Sequence, residues 1–460
     1  MGNSLIMNVP IHPPLSLGYL SSVLREANHD VLVIDASAEN MSLHKLVKRL
    51  IDWNLDAIGI TTNIASSRKA VMTARFIRAN LEHIPIIMGG PWATIEYKKI
   101  LRSKIADYVV CGEGERTIVD LLDNLHDKSN LKDVKGICYR ADDGSVVKTE
   151  DREFITDLDS LPFPAWDLFP PSRKYNFPYR KQPFYPIMTT RGCPFDCIHC
   201  TKVVHGYAYR TRSIENVLKE IKYLIENFGT KELLIIDDCF NLDIGRAEKI
   251  MDEIIKNKFN LMIKFTNGIR ADRITPSFGR KLKAAGTYYA ALGIESGNQQ
   301  IVNKIGKRLD LRKVITATRI LKENKIIPGG FFMLGHPYDN FQTMVQTVNF
   351  AKSLDLDYPH FFKAIPFPGT KMYDIVIEHG NFIKNTISSE KADGYATNGS
   401  GYFDIWDLKN QDVERAFKLA YKWFYLRPRK LLDLISHLRS FHDIWGAIRQ
   451  FIMFIIKNLI

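Results

Sequence analysis

Three cysteines fall within eight residues, Cys193-Pro-Phe-Asp-Cys197-Ile-His-Cys200, directly after a hydrophobic run that begins at Tyr185. A chain with such a loop must fold so that one strand end delivers three thiolates to a single point. Three close thiolates without a fourth protein partner suit an iron–sulfur cubane that keeps one iron open to a small chelating ligand. Zinc is the competing occupant, because His199 and His205 could complete an S3N tetrahedron. Zinc knuckles, however, come as two separated pairs, and no second pair follows here. A disulfide framework fits less well still: six cysteines are sparse in 460 residues, and no signal-peptide pattern precedes them.

The CxxxCxxC spacing matches the radical SAM enzymes, and the chain resembles that family beyond the motif. The resemblance implies that Cys193, Cys197 and Cys200 hold a [4Fe–4S] cluster and that S-adenosylmethionine chelates its open iron. One-electron cleavage would then release a 5′-deoxyadenosyl radical, with a reducing partner such as flavodoxin or ferredoxin supplying the electron. The residue before the last cysteine is usually aromatic in the family and packs near adenine; here it is His199.

Composition sets the outer limits. At 45% hydrophobic and 25% charged residues the chain reads as folded, long enough for two or three domains, and without low-complexity tracts. A formal charge of +12 favours anionic partners such as phosphorylated substrates, acidic redox proteins or lipid headgroups. No aromatic-basic RNA motif or paired finger spacing accompanies that charge, so no specific nucleic-acid partner is expected. A basic, non-catalytic module with a structural metal is the reading outside enzymology. P-loop and nucleophile-elbow patterns are missing, and free-thiol usage fits a reducing cytoplasm.

Residues 1–145 alternate short β-rich runs (Ser4–Asn8, Val31–Ile34, Ala57–Thr61, Ile86–Gly89, Tyr108–Cys111) with helical stretches over Leu17–Ala27 and Ser66–Leu81. Such alternation predicts an α/β, doubly wound, mainly parallel sheet whose ligands gather beyond its carboxyl edge. The loops expected there are the one leading to Gly18, Thr61-Thr62-Asn63-Ile64, Gly89-Gly90-Pro91 and Cys111-Gly-Glu113-Gly-Glu115. Glycine pairs let backbone approach a bulky ligand, or they merely close turns in an ordinary doubly wound domain. This stretch resembles the cobalamin-binding domain that precedes one large class of radical SAM enzymes. The resemblance points to Thr62, Asn63, Gly89, Gly90 and Glu113 as cofactor contacts. The Asp-x-His-x-x-Gly signature of a lower axial histidine is missing, so cobalamin is expected to bind without histidine coordination.

Residues 146–184 are proline-rich and read as a connector, with Trp166, Phe169 and Tyr175 packing it down. From 185 to 375 strands and helices alternate again, as in a partial (β/α)6 barrel with functional groups at strand C-termini. Asp237-Asp238, Asn267 with Arg270, Glu295-Ser296 and His336 occupy such ends. An aspartate there is often only a helix cap. Gly293-Ile-Glu295-Ser296-Gly297 resembles the family's fourth-strand motif, which implies contacts from Glu295 and Ser296 to S-adenosylmethionine, joined by Asp237 and Asn267. In the following Ile301–Arg308 run, Lys304 and Lys307 are either surface charges or partners for the cofactor's carboxylate. Ile365-Pro-Phe-Pro-Gly-Thr-Lys-Met-Tyr373 reads as structure, not catalysis.

Residues 376–460 form a helical, basic C-terminal region, with nine Lys or Arg against two Asp or Glu from Arg415 onward. The apolar segment from Phe441 to Ile460 is a poor spanning helix, and reads either as a helix docked across the barrel's open side or as an interfacial one. A cytoplasmic protein, peripheral to a membrane in the second case, would meet a small or lipid-like substrate. By resemblance the reaction is methylation of an unreactive carbon, or of phosphorus, through methylcobalamin. Cyclisation or rearrangement without methyl transfer, and a cobalamin-independent radical reaction, are the enzymatic alternatives.

Overall fold

The computed structural model describes residues 12–127, 129–383 and 402–425. The first sheet forms from β1 (Ile58–Thr61), β2 (Ile86–Gly89) and β3 (Tyr108–Val110), all parallel, followed by β4 (Ile137–Arg140) and β5 (Val146–Lys148), which run antiparallel. Helices α1 (Leu15–Glu26), α2 (Leu43–Trp53), α3 (Ser67–Asn80), α4 (Pro91–Arg102) and α5 (Glu115–Asp123) cover it on both faces. Ile86, Met88 and Val109 pack toward Ala74, Ile77 and Ile100, while Ile87, Tyr108 and Val110 pack toward Leu20, Ile118 and Leu121. Fully apolar strands are the sequence signature of a sheet buried on both sides.

Two expectations need correction. Val31–Ile34 pairs with no strand among the described residues, although Val33 is buried. The β4–β5 hairpin escaped notice, although Asp142-Asp-Gly-Ser145 between two β-rich runs is a hairpin signal. The proposed strand Ser4–Asn8 and the apolar segment 441–460 lie outside the described residues.

The connector turns through short 3-10 segments and is held down by Trp166, Phe169 and Tyr175, all buried. It leads into β6 (Phe184–Ile187), then a two-stranded ribbon, β7 (Thr190–Arg191) with β8 (Arg210–Thr211), which brackets the cysteine loop. The second sheet continues through α6 (Ile214–Phe228), β9 (Glu232–Ile235), α7 (Ile244–Lys256), β10 (Met262–Ile269), α8 (Pro276–Ala284), β11 (Thr287–Glu295), α9 (Gln299–Lys304), α10 (Leu311–Glu323), β12 (Ile327–Leu334), α11 (Phe341–Ser353) and β13 (Tyr358–Lys363). Its six strands, β6, β9, β10, β11, β12 and β13, are parallel, in the order β13-β12-β11-β10-β9-β6, and the two ends do not pair. This is an open barrel of six β/α units.

Its helices begin where side chains satisfy free backbone N–H groups: Ser213 caps α6, Asp243 caps α7, and Asn340 with Thr343 forms a capping box on α11. After α12 (Lys371–His379) and the small hairpin β14 (Gly380–Phe382) with β15 (Phe403–Ile405), α13 (Asn410–Tyr425) lies along β13, its Glu414 paired with Lys363 at 2.7 Å. Among the described residues no helix is long and apolar enough to cross a membrane.

Candidate functional site

The cysteine loop leaves the ribbon through Gly192, whose φ of +82° and whose packing against Ala208 leave no room for a Cβ; one would lie 2.1 Å from the Ala208 carbonyl. Two carboxylates at the end of β9 hold the start of the loop. Asp237 accepts from the Thr189 and Thr190 hydroxyls at 2.6 and 3.0 Å, and Asp238 accepts from the Gly192 N–H at 2.9 Å and bonds His205 at 2.8 Å. The far side of the loop rests on the run after α9. Ile198 N–H donates to Ile305, Gly306 leaves no room for a Cβ over Asp196, and Arg270 stacks 3.7 Å over the Phe195 ring.

The donor atoms of Cys197, His199 and Cys200 lie within 4.8 Å of one another. Cys193 points instead to Cys239, whose hydrogen bond draws the Cys193 thiol below the usual range, just as Cys200 does for Cys197. In each pair the partner thiol, Cys239 or Cys200, is raised by the same bond. The loop thus offers two thiols and an imidazole at one point, with a third thiol, Cys193, at its entrance.

Glu295 sits where the β11–β12 register slips after Gly293, at φ +68°, a left-handed conformation rare for a side-chain-bearing residue. Burial opposes its ionisation, but Lys307 at 3.1 Å overcomes this and holds the carboxyl below its usual range. His336 packs nearby, its ring 5.5 Å from that of His199, and burial drives it down to about 3, so the imidazole is neutral. Neither nitrogen of His336, nor His199 Nδ1, has a partner among the described residues. Ser296, by contrast, is engaged with Thr347, and Lys304 lies over the Tyr338 ring.

On the first sheet, Thr62 is buried, donates to the Gly89 carbonyl at 2.9 Å and accepts from Ala93 N–H. Gly90, at φ +94°, lies so close to Thr62 that a Cβ would meet its carbonyl at 2.4 Å. Thr62 and the glycine pair therefore shape the edge by gripping each other. Asn63 is exposed and lines a cavity of about 130 Å³ with Pro91, Trp92, His199, Thr201 and Phe367. That cavity joins the sheet's carboxyl edge to the cysteine loop, and two residues in its wall carry buried, unpartnered nitrogens, Trp92 Nε1 and His199 Nδ1. Unpartnered buried nitrogens are uncommon in a finished core, and the thiols beside His199 suit iron. The thiols suit a cluster, and the cavity sets the edge of the first sheet against the loop that would hold it.

Phe367, Pro368 and Thr370 also wall this cavity, although their segment read as purely structural. A second cavity of about 430 Å³ opens at the barrel's strand ends between Asp237, Asp238, Thr266, Asn267, Phe331 and Phe362. Asn267 reaches it while donating to the Ile236 carbonyl. Glu113 lies elsewhere, in a buried ion-pair network with Arg191 and Arg210. Trp92 as a wall residue, and Arg191 and Arg210 as neighbours of the loop, carried no periodic or motif signal, whereas His336 stands at one of the strand ends the sequence marked.

Burial pushes the Asp237 carboxyl up to about 6, and the bonds from Thr189 and Thr190 pull it back only in part. Between the ordinary carboxylate value and about 6, the folded chain holds a proton that the unfolded chain has lost. Stability contributed by this group therefore falls as pH rises through that window. Asp237→Asn keeps an acceptor for the threonines and cannot titrate. The difference between wild-type and variant unfolding free energies is expected to drift by roughly 2–3 kcal/mol across the window. Parallel curves would remove the assignment.

Comparison with known proteins finds two family models, one in each part of the chain. Residues 9–122 match the B12 binding domain and residues 187–351 the radical SAM superfamily. An uncharacterized methyltransferase of Pyrococcus horikoshii is 31% identical over 430 residues, covering 92% of this chain and 90% of the relative. The anaerobic magnesium-protoporphyrin IX monomethyl ester cyclase of Rubrivivax gelatinosus is 25% identical over 370 residues, 78% of this chain and 66% of its own. The fold is shared with the radical S-adenosylmethionine methyltransferase TsrM from Kitasatospora setae, solved with cobalamin and a [4Fe-4S] cluster bound. Its TM-score is 0.71 at 16% identity, with 92% of this chain and 88% of that one covered.

Proposed function

This chain belongs to the radical SAM enzymes that carry an N-terminal cobalamin-binding domain, and on that premise we propose that it methylates an unactivated carbon of a small or lipid-like substrate. Its cofactors are a [4Fe–4S] cluster, S-adenosylmethionine and cobalamin. The observation that carries the proposal is the cavity shared by Asn63, Pro91 and Trp92 of the first sheet and His199 and Thr201 of the cysteine loop. When bound, these cofactors supply a carbon radical on the substrate and a methyl group to quench it.

In this reading Cys193, Cys197 and Cys200 hold the cluster. Glu295, kept ionised by Lys307, and the neutral imidazoles of His199 and His336 offer polar groups to S-adenosylmethionine. Asp237 and Asp238 set the loop, while Thr62, Asn63, Gly89 and Gly90 shape the cobalamin edge. The cavity bounded by Asp237, Asp238, Thr266, Asn267, Phe331 and Phe362 takes substrate, its two phenylalanines facing an apolar part and its four polar residues a polar one. Cys200 is exposed, which supports electron delivery by a flavodoxin or ferredoxin at the loop's outer face. Six unbridged cysteines fit a reducing cytoplasm.

Anaerobic reconstitution with cobalamin, followed by iron, sulfide and cobalt assay, tests the pairing of cofactors. S-Adenosylhomocysteine formed alongside 5′-deoxyadenosine in the presence of substrate is the expected result. 5′-Deoxyadenosine alone would favour cyclisation or rearrangement, the reading that the likeness to the cyclase supports. Iron without cobalt would make cobalamin-dependent methylation untenable.

A further inference from the structure

We propose that docking of the N-terminal domain closes the base of the cysteine loop, with Arg191 as the positioning residue and Glu113 and Glu115 as its counter-charges. The inference rests on reading residues 193–200 as the cluster site. On the ribbon that brackets the loop, Arg191 stands directly opposite Arg210. Like charges facing each other across two strands push the strands apart, and here both side chains are almost wholly buried, at 3% and 6% exposure. A buried pair of guanidinium groups has no water to screen it and demands carboxylates.

Within the described residues the carboxylates that answer this demand come from the other domain. Glu113 receives Arg191 at 3.1 Å and Arg210 at 2.9 Å, and also accepts the Ile155 N–H at 2.8 Å. Glu115 receives the other arm of Arg191. Arg210 further donates to the carbonyls of Ile155 and His205, and Arg191 lies over the Tyr19 ring at 5.4 Å. Two arginines thus meet two glutamates in a closed, neutral set. Arg191 is followed at once by Gly192 and Cys193, so its position fixes where the first thiolate enters. The Cys111-Gly-Glu-Gly-Glu115 turn therefore serves the cysteine loop, not a ligand of its own.

The test compares reconstituted wild type with Glu113→Gln and with the double variant Glu113→Gln/Arg210→Gln, which restores the charge balance. The rate of iron loss to an anaerobic ferrous chelator such as bathophenanthroline disulfonate is expected to rise on the order of tenfold in Glu113→Gln, and to return near the wild-type rate in the double variant. An unchanged rate in a folded Glu113→Gln protein overturns the proposal, even if its thermal transition falls, because a purely structural clamp would lower stability alone. Failure of the double variant to recover overturns it as well. Should Glu113→Gln not fold, Glu115→Gln removes the lesser contact and is read the same way. Hydrogen exchange of residues 192–209 before reconstitution separates this inference from the functional reading. A wild type that takes up no iron or sulfide sinks the cluster assignment, while exchange in the loop that the variant does not accelerate sinks the clamp.

Discussion

Replacing Cys193, Cys197 or Cys200 by alanine is expected to abolish bound iron and sulfide and to reduce S-adenosylmethionine cleavage to the background of a protein-free mixture. Replacing Cys239 is expected to leave both intact. The contrast is sharp because the structure sets Cys239 against Cys193, so that proximity alone would rank it with the ligands. What separates them is position: Cys239 is a buried residue after β9, whereas the other three belong to one short loop. A cubane needs thiolates that can converge on adjacent irons, and Cys197 and Cys200 already lie with His199 within 4.8 Å. Iron content and product analysis on the four single variants settle it. Cleavage that survives loss of any motif cysteine, or disappears with Cys239, overturns the assignment.

The second large effect is expected at Lys307. Its ammonium and the Glu295 carboxylate form a mostly buried pair at 3.1 Å, with side-chain exposures of 16% and 13%. Lys307→Met leaves a buried carboxylate alone and is expected to cost roughly 3–5 kcal/mol in unfolding free energy. Lys307→Met/Glu295→Gln, which removes both charges, is expected to recover most of that loss. The pH dependence changes sign between the proteins. In wild type the Glu295 carboxyl is held low by Lys307, so its contribution is present above the ordinary carboxylate range and is lost as pH falls. In the single variant burial is the largest influence left on it, opposed only by His199 and His336, and raises its pKa, so stability improves as pH falls. Denaturant unfolding at several pH values checks both statements, and a Lys307→Met variant as stable as wild type would show that the pair contributes nothing net. Because the proposed reading has Glu295 offer its carboxylate to S-adenosylmethionine, the double variant is also expected to bind the cofactor more weakly while folding normally, a split that equilibrium binding would read.

The barrel was legible because its strands are apolar, its helices carry caps and its turns carry glycine, and each of these signals is local. Helices Ile244–Lys256 and Leu311–Glu323 take their places in the alternation read over residues 185–375. The hairpin at Ile137–Lys148 was missed although its turn residues announce it. Val31–Ile34 shows the opposite error: β-prone residues form a strand only where a neighbour supplies a ladder, and none does here. Glu113 illustrates the limit for site residues. A carboxylate between glycines at a sheet edge reads as a ligand contact, and only the arrival of Arg191 and Arg210 from 78 and 97 residues away gives it another occupation.

By itself, then, the sequence determined the chemistry: three thiols in one loop, two α/β units in order, and a carboxylate in a glycine-flanked strand end. Tertiary structure decided which of those groups meet. Asn63 and His199 share a cavity, Lys307 neutralises Glu295, and two arginines on a ribbon are balanced by the other domain. The reason is physical. Thiol chemistry, turn geometry and apolar periodicity act over a few residues, whereas buried charges and unpartnered nitrogens are satisfied by whatever the fold brings within about 3 Å of them, and that distance is set by packing across the whole chain.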